Sequence, residues 1–385
     1  MIVRKEASLG EFRRTVRQWL EANWPGDPAS PRPARADELQ RWWFLRLRDG
    51  GLAIPHWPSE YGGQDLSLAH RIVVAEETAR ADAPALPMYV ISLNHIPVTF
   101  LRWGTPEQRR KYLPGIADGD VWCQGFSEPN AGSDLVSLRT RADRSGDVYV
   151  VNGQKIWSSY SMHAKYCILL ARTDRNSKRH AGISYFVLDM KAPGVEVRPI
   201  LQANGKATFA EIFLTDVEVP ASDLLGEEGF GWKVAQTTLS AERGVLSVEG
   251  IERLRYRLEA AYRQAAAAAD GWLSDAEHVR RFLDLFARML SVRRSLRALL
   301  AHDAPADDRI LPALIKISST ELVQDVAEFL VRAGGLREQT GGEAVDLQAT
   351  GAMLDYISSF GSTIAAGTNE IMRNIIAERG MGMLR

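Results

Sequence analysis

A chain of 385 residues that is 45% hydrophobic and 25% charged has enough apolar material for two or three cores, which excludes a disordered or low-complexity protein. With 47 basic residues against 48 acidic ones the formal net charge is −1, so no bulk field recruits nucleic acid or an anionic membrane, and any anionic ligand must be met locally. Cys123 and Cys167 stand outside any CxxC or Cys/His spacing and the seven histidines form no HExxH, which argues against a metal site or a disulfide framework and suits a reducing, cytoplasmic setting. The N-terminus carries Arg4, Lys5 and Glu6 where a secretory signal needs an apolar core, and no uninterrupted apolar run approaches membrane-spanning length.

In chain order, Phe12, Val16, Trp19 and Leu20 recur at helical spacing between Glu11 and Trp24. A Pro-rich stretch from Pro25 to Pro33 follows, and then the helical pattern resumes. Two segments with Pro/Gly punctuation read as ordered turns, Ile54–Pro58 leading into Tyr61-Gly62-Gly63, and Leu93–Pro97. Such turns serve either as packing corners or as walls of a binding pocket. From Asp147 the pattern shifts to short strands, with Asn152-Gly153 offered as a two-residue hairpin turn. Further strands are expected over Tyr166–Ala171, Ile183–Met190, Val195–Ile200 and Phe209–Val219. After Gly231-Trp232 long periodic segments return at Val234–Gln264, Ala276–His302 and Ile310–Arg332, with a last one from about Tyr356 to the end. Ser274-Asp-Ala-Glu277 reads as a capping box opening the second. The expectation is an α+β protein: a helical domain over residues 1–120, a small β domain over 121–228 and a four-helix bundle over 229–385. Neither Walker A nor GxGxxG occurs.

Residues 122–134 read Trp-Cys-Gln-Gly-Phe-Ser-Glu-Pro-Asn-Ala-Gly-Ser-Asp, and residues 365–373 read Ala-Ala-Gly-Thr-Asn-Glu-Ile-Met-Arg. The first run alone suits a tight turn between strands. Together the two stretches resemble the acyl-CoA dehydrogenases, a FAD-dependent family that desaturates acyl-CoA and passes electrons to an electron-transfer flavoprotein. The resemblance implies that Gln124, Phe126 and Ser127 line the isoalloxazine and that Gly132 and Ser133 approach the cofactor or the CoA moiety, with Ser133 also a substrate contact. It implies that Trp157 stacks near the flavin while Ser159 hydrogen-bonds it; without the family, a tryptophan in a β domain reads as core. Gly334, Gly335, Thr368 and Glu370 would hold the adenosine half of FAD across a subunit interface, although paired glycines after an apolar helix also end helices. No metal is implied.

Where most of the family places a glutamate before Gly-Thr, this chain has Ala366 before Gly367-Thr368. A minority, resembling the isovaleryl and long-chain enzymes, carry the base instead in a Glu-Arg pair on the first helix of the bundle. Glu242-Arg243 matches that pair. The resemblance therefore implies Glu242 as base, Arg243 as a substrate contact and the Ala366 backbone N–H as a donor to the thioester oxygen. An isolated Glu-Arg is otherwise an ion-paired helix surface. The chain departs from the family in one place: the Arg-x-x-Phe-Gly that reaches the FAD pyrophosphate of a neighbouring subunit is replaced by Ala265–Leu273. That contact must come from elsewhere, from Arg280 or Arg281 or from another chain, so a homo- or hetero-oligomer, dimer or tetramer, is expected. Two rivals keep the scaffold: a non-catalytic partner subunit of such an oligomer, and a flavin monooxygenase. The substrate is an acyl-CoA or its carrier-protein equivalent.

Overall fold

The computed structural model describes residues 8–24, 32–174, 176–177, 180–241, 245–268, 271–301, 310–333 and 351–384. They divide into two compact units, Met1–Val74 with Pro84–Glu242, and Ala75–Ala83 with Arg243–Arg385. The expected order of helices, small sheet and helices is the order the chain adopts.

In the first unit, α1 (Leu9–Asn23) opens on a complete capping box from Ser8 and Glu11 and buries Phe12, Val16 and Leu20. It is followed by α2 (Ala36–Asp49), the first part of α3 (Leu68–Arg80), α4 (Ile96–Trp103) and α5 (Pro106–Ala117). The turn expected at Leu93–Pro97 is instead helical. Residues Ile91–His95 form a π-helical segment that runs directly into α4, and Pro97 sits in the first turn, where its missing N–H is not required.

Among the described residues seven strands form one sheet: β1 (Trp122–Gly125), β2 (Arg141–Ser145), β3 (Val148–Ser159), β4 (Tyr166–Arg172), β5 (Ile183–Asp189), β6 (Val195–Ile200) and β7 (Phe209–Pro220). Their order is β1-β4-β2-β3-β7-β6, with β5 on β4. Asn152-Gly153 is not the hairpin turn. The chain reverses at Gly146-Asp147, between β2 and β3, and β3 runs straight through Asn152-Gly153 with a register shift against β7. Asn152 is held there by Asp216, whose N–H donates to Asn152 Oδ1 at 3.0 Å, and a Cβ on residue 153 would lie 2.4 Å from Thr140 Oγ1. The Asn-Gly pair thus serves a bulge with close side-chain approach.

One core lies between the sheet and the helices of this unit, with Trp57, Phe100, Trp122, Phe126 and Tyr185 among its members. A second fills the interior of the sheet around Cys123, Tyr149, Cys167 and Phe186. Helix α6 (Gly231–Ala241) packs into this first unit: Thr238 Oγ1 lies 2.9 Å from Thr99 Oγ1 and 3.1 Å from Tyr185 OH, and Trp103 Nε1 donates to Thr237 Oγ1 at 2.9 Å.

The second unit is built on α7 (Val245–Ala267), α8 (Ala276–Ala301), α9 (Ile310–Ala333) and α10 (Gly351–Ile364), and the first three share a core around Leu258, Leu285, Met289, Leu322 and Val326. The periodic stretch Val234–Gln264 corresponds to α6 and α7, on either side of residues 242–244, which lie outside the described residues. The cap of α8 comes from Asp275 and not Ser274: Asp275 Oδ1 accepts from Glu277 N at 2.8 Å, while Ser274 Oγ donates backwards to Gly271 O at 3.0 Å. The last helix expected from Tyr356 onward is broken. Ala366 at φ +57° and Gly367 at φ +86° end α10, and Thr368 caps a new helix, α11 (Asn369–Ile375).

Candidate active site

The sheet builds its part of the site around one buried ion pair. Along β3 the inward positions are Tyr149, Val151 and then Lys155, which is fully buried. Lys155 Nζ donates to Glu128 Oε1 at 2.8 Å and to Phe126 O at 3.2 Å. Glu128 also accepts from the N–H groups of Arg139 and Thr140 at 2.7 and 2.8 Å. Burial alone would raise the Glu128 carboxyl, but the Lys155 charge and these donors hold it below the ordinary carboxylate range. Between Glu128 and Ala131 two backbone bonds of 3.0 Å close a tight turn on Pro129-Asn130. The segment that the motif predicts to face a ligand is therefore pinned from both ends.

Against this frame β3 leaves its ladder. Ile156 N donates to Ser127 O at 2.9 Å, Ser158 Oγ donates to Gln124 O at 2.9 Å, and the register with β7 shifts between Lys155 and Ser158. At the shift Trp157 takes φ +62°, and its indole is 57% exposed, touching Phe209 edge to face at 6.2 Å. A left-handed backbone costs a residue with a Cβ about 1–2 kcal/mol, and an indole left in solvent forgoes its burial. A fixed, outward-turned indole next to a pinned polar strand fits a planar aromatic ring such as an isoalloxazine.

Of the other residues named for that site, Gln124 Oε1 accepts from His95 Nδ1 at 3.2 Å, Phe126 is buried in the first core, and Ser127 and Ser159 are half-buried, Ser159 two residues after Trp157. Burial pulls the His95 ring down to about 4 against the opposing effect of its hydrogen bond to Gln124, so it is neutral near pH 7. Gly132 and Ser133 are exposed, and a Cβ on residue 132 would meet nothing within 4 Å. Close backbone approach within the chain therefore does not explain that glycine.

In the second unit the break between α10 and α11 is also held by a buried lysine. Lys316 on α9 is 8% exposed and donates to Thr363 O at 3.1 Å and to Asn369 Oδ1 at 2.7 Å, which ties the end of α10 to the start of α11. Thr320 Oγ1 reaches the same Asn369 oxygen at 3.1 Å. Thr368 Oγ1 accepts from Ile371 N at 3.2 Å, while Glu370 is exposed and lies 3.4 Å from Arg373. Glu242, Arg243, Gly334 and Gly335 lie outside the described residues. Arg281 is engaged with Asp284 and Asp325, and Arg280 is exposed.

Sequence reasoning missed Lys155, Glu128, His95 and Lys316. Lys155 had a usable signal, a lysine at an inward position of a period-2 strand. Lys316 had none, because its partners lie in a later helix.

Three family models match in succession: the N-terminal domain of acyl-CoA dehydrogenase over residues 7–120, the middle domain over 123–217 and the C-terminal domain over 229–381. Acyl-CoA dehydrogenase IpdE1 of Mycolicibacterium smegmatis is 38% identical over 398 aligned positions, covering 97% of this chain and 98% of that protein. Among solved structures, the Tcur3481-Tcur3483 steroid ACAD matches with a TM-score of 0.84 at 30% identity over 100% of both chains. The ChsE4-ChsE5 complex from Mycobacterium tuberculosis gives 0.81 at 28%, again over 100% of both. No helix among the described residues is long and apolar enough to cross a membrane. The chain belongs to the acyl-CoA dehydrogenase family and is a FAD-dependent oxidoreductase.

Proposed function

We propose that this chain desaturates an acyl-CoA to the 2,3-enoyl-CoA, with the Glu242 carboxylate taking the proton next to the thioester carbonyl. The observation that supports the reading is the exposed, left-handed Trp157 beside the pinned Gln124–Glu128 segment, a platform suited to a bound planar group. When bound, FAD supplies the acceptor for the hydride that leaves the β-carbon. Gln124, Phe126, Ser127, Trp157 and Ser159 would hold its ring system, and Gly334, Gly335, Thr368 and Glu370 its adenosine half, with Gly132 and Ser133 close to the cofactor or CoA. Ala366 keeps a backbone N–H for the thioester oxygen while presenting no carboxylate, and its left-handed turn is fixed by Lys316. Glu242 must then provide the base, with Arg243 beside it in sequence as a substrate contact.

Electrons would leave through an electron-transfer flavoprotein in a cytoplasmic setting. Because Arg-x-x-Phe-Gly is absent and Arg281 is already engaged by two carboxylates, a second, related chain is the reading we favour for completing the FAD site. Two of the structures that this chain resembles are named for two polypeptides, and one of those names favours a steroid-derived acyl group as substrate.

The test is anaerobic mixing of yellow, purified protein with a panel of acyl-CoAs. Bleaching supports the dehydrogenase. A flavin that stays oxidised with every thioester points to a non-catalytic subunit, and oxygen-dependent product formation points to a monooxygenase. One tightly held FAD per chain in a pure homo-oligomer would overturn the two-chain assembly and leave the chemistry intact.

A further inference from the structure

Lys155 is an ammonium sealed inside the first unit, and the sheet makes room for it. A Cβ on Gly125 would lie 3.4 Å from Lys155 Cγ and 2.9 Å from Cys167 Sγ, so β1 ends on a glycine where the lysine stem passes it. Burial works against the charge, and the Glu128 carboxylate 2.8 Å away keeps the proton on Nζ. Holding the turn at Glu128 does not by itself call for a charge. A neutral amide also carries two N–H donors, enough for the two acceptors that Lys155 meets, Glu128 Oε1 and Phe126 O.

What the charge adds lies in the second of those bonds. Phe126 O belongs to the peptide whose N–H is that of Ser127, and a cation on the oxygen draws electron density from the nitrogen, which makes the N–H a stronger donor. That N–H has no acceptor among the described residues, whereas the carbonyl of Ser127 accepts from Ile156 N at 2.9 Å. The Glu128 carboxylate is taken up by Lys155 and by the N–H groups of Arg139 and Thr140, so of the ion pair it is the ammonium that bonds the Phe126–Ser127 peptide. The half-buried Ser127 thus offers a polarised donor in the segment assigned above to the isoalloxazine.

A hydride carries two electrons and one proton, so its transfer leaves one more negative charge on the acceptor. A donor strengthened beforehand, inside a low-dielectric site, stabilises that charge without having to reorganise. We propose that Lys155 is a positioning residue for the redox step: through the Phe126 carbonyl it strengthens the Ser127 N–H toward the flavin ring and so favours the reduced cofactor over the oxidised one. This rests on the dehydrogenase reading for the place of Ser127 at the ring and goes beyond it in giving the buried charge a role.

The test titrates FAD-free protein, in the assembly that holds the cofactor, with oxidised FAD and, anaerobically, with dithionite-reduced FAD. The ratio of the two dissociation constants reports how far the site favours the reduced form. Two variants are compared with wild type: Lys155→Gln/Glu128→Gln, which keeps amide donors and acceptors and removes both charges, and Lys155→Met, which removes the bond to Phe126 O. Each is checked for an intact melting transition, and Lys155→Met decides if the amide pair fails that check. In each the ratio should shift at least fivefold toward the oxidised form, a fall of about 20 mV in midpoint potential for two electrons. An unchanged ratio, including equal weakening of both forms, makes the pair structural and overturns the proposal. So does a shift in Lys155→Met with none in a folded amide pair, since the bond would then suffice without the charge. A shift in both variants, with no thioester able to reduce the flavin, would remove the dehydrogenase reading and leave the role of Lys155 standing.

Discussion

Trp157 in the sheet and Ala366 in the bundle both adopt φ near +60°, at +62° and +57°, yet they are held by different means. Trp157 is fixed largely by main chain, through the Ile156 bond to Ser127 and a local motif that Glu128 and Lys155 lock from within. The turn at Ala366 is spanned by one side chain from an earlier helix, Lys316, which reaches both of its ends. The strain at Trp157 is shared between main-chain bonds and the Glu128–Lys155 pair behind them. Strain held by a single clamp becomes adjustable when the clamp goes.

The largest effect should come from removing the lock that the sheet does rely on. Lys155→Met leaves Glu128 buried without its cation, and breaking a buried pair from one side costs about 3–5 kcal/mol. Urea denaturation should show a loss of that size, and the purified variant should retain little FAD. A loss under about 1 kcal/mol would mean that the backbone donors from Arg139 and Thr140 suffice for Glu128.

Lys316→Met should divide the two regions more finely. It leaves Thr363 O and Asn369 Oδ1 without the ammonium and frees the turn that carries the Ala366 N–H. The expected result is a drop of about tenfold in kcat with little change in KM, since a misplaced oxyanion donor acts on the transition state. The carbonyl stretch of a bound thioester should move toward its solution frequency while the flavin spectrum keeps its shape. An unchanged carbonyl frequency would make Lys316 structural only.

The smallest effect is the most particular to the comparison. Trp157→Gly relieves a left-handed residue, worth about 1–2 kcal/mol, and adds about 0.5–1 kcal/mol of unfolded-state entropy. The FAD-free protein should therefore keep its stability to within about 1 kcal/mol while FAD affinity falls roughly tenfold. A loss above about 2 kcal/mol without FAD would show that the indole serves the fold.

These two regions also differ in how far the sequence discloses them. The Ser-Glu-Pro run marked the Gln124–Glu128 segment because its determinants are local, but the short strand Trp122–Gly125 that leads into it was not among the expected strands. Asn152-Gly153 misled, because its pairing with Asp216 and its close approach to Thr140 outweighed its preference for a hairpin turn. The final helix looked continuous because neither Ala365 nor Ala366 is a helix breaker. The break depends on a φ above zero at Ala366 and Gly367, on the Thr368 cap and on Lys316; Gly367-Thr368 was a local signal for it, and periodicity registers none of these.

The base is where the account is most exposed. With Ala366 unable to take the proton, Glu242→Gln should leave the flavin spectrum and melting transition intact and slow anaerobic flavin reduction by acyl-CoA at least a few hundredfold, the scale of losing a positioned acid/base group. Adding Ala366→Glu to that variant should recover part of the rate. Retention of more than a tenth of the wild-type reduction rate in Glu242→Gln would contradict the assignment of Glu242 as the base.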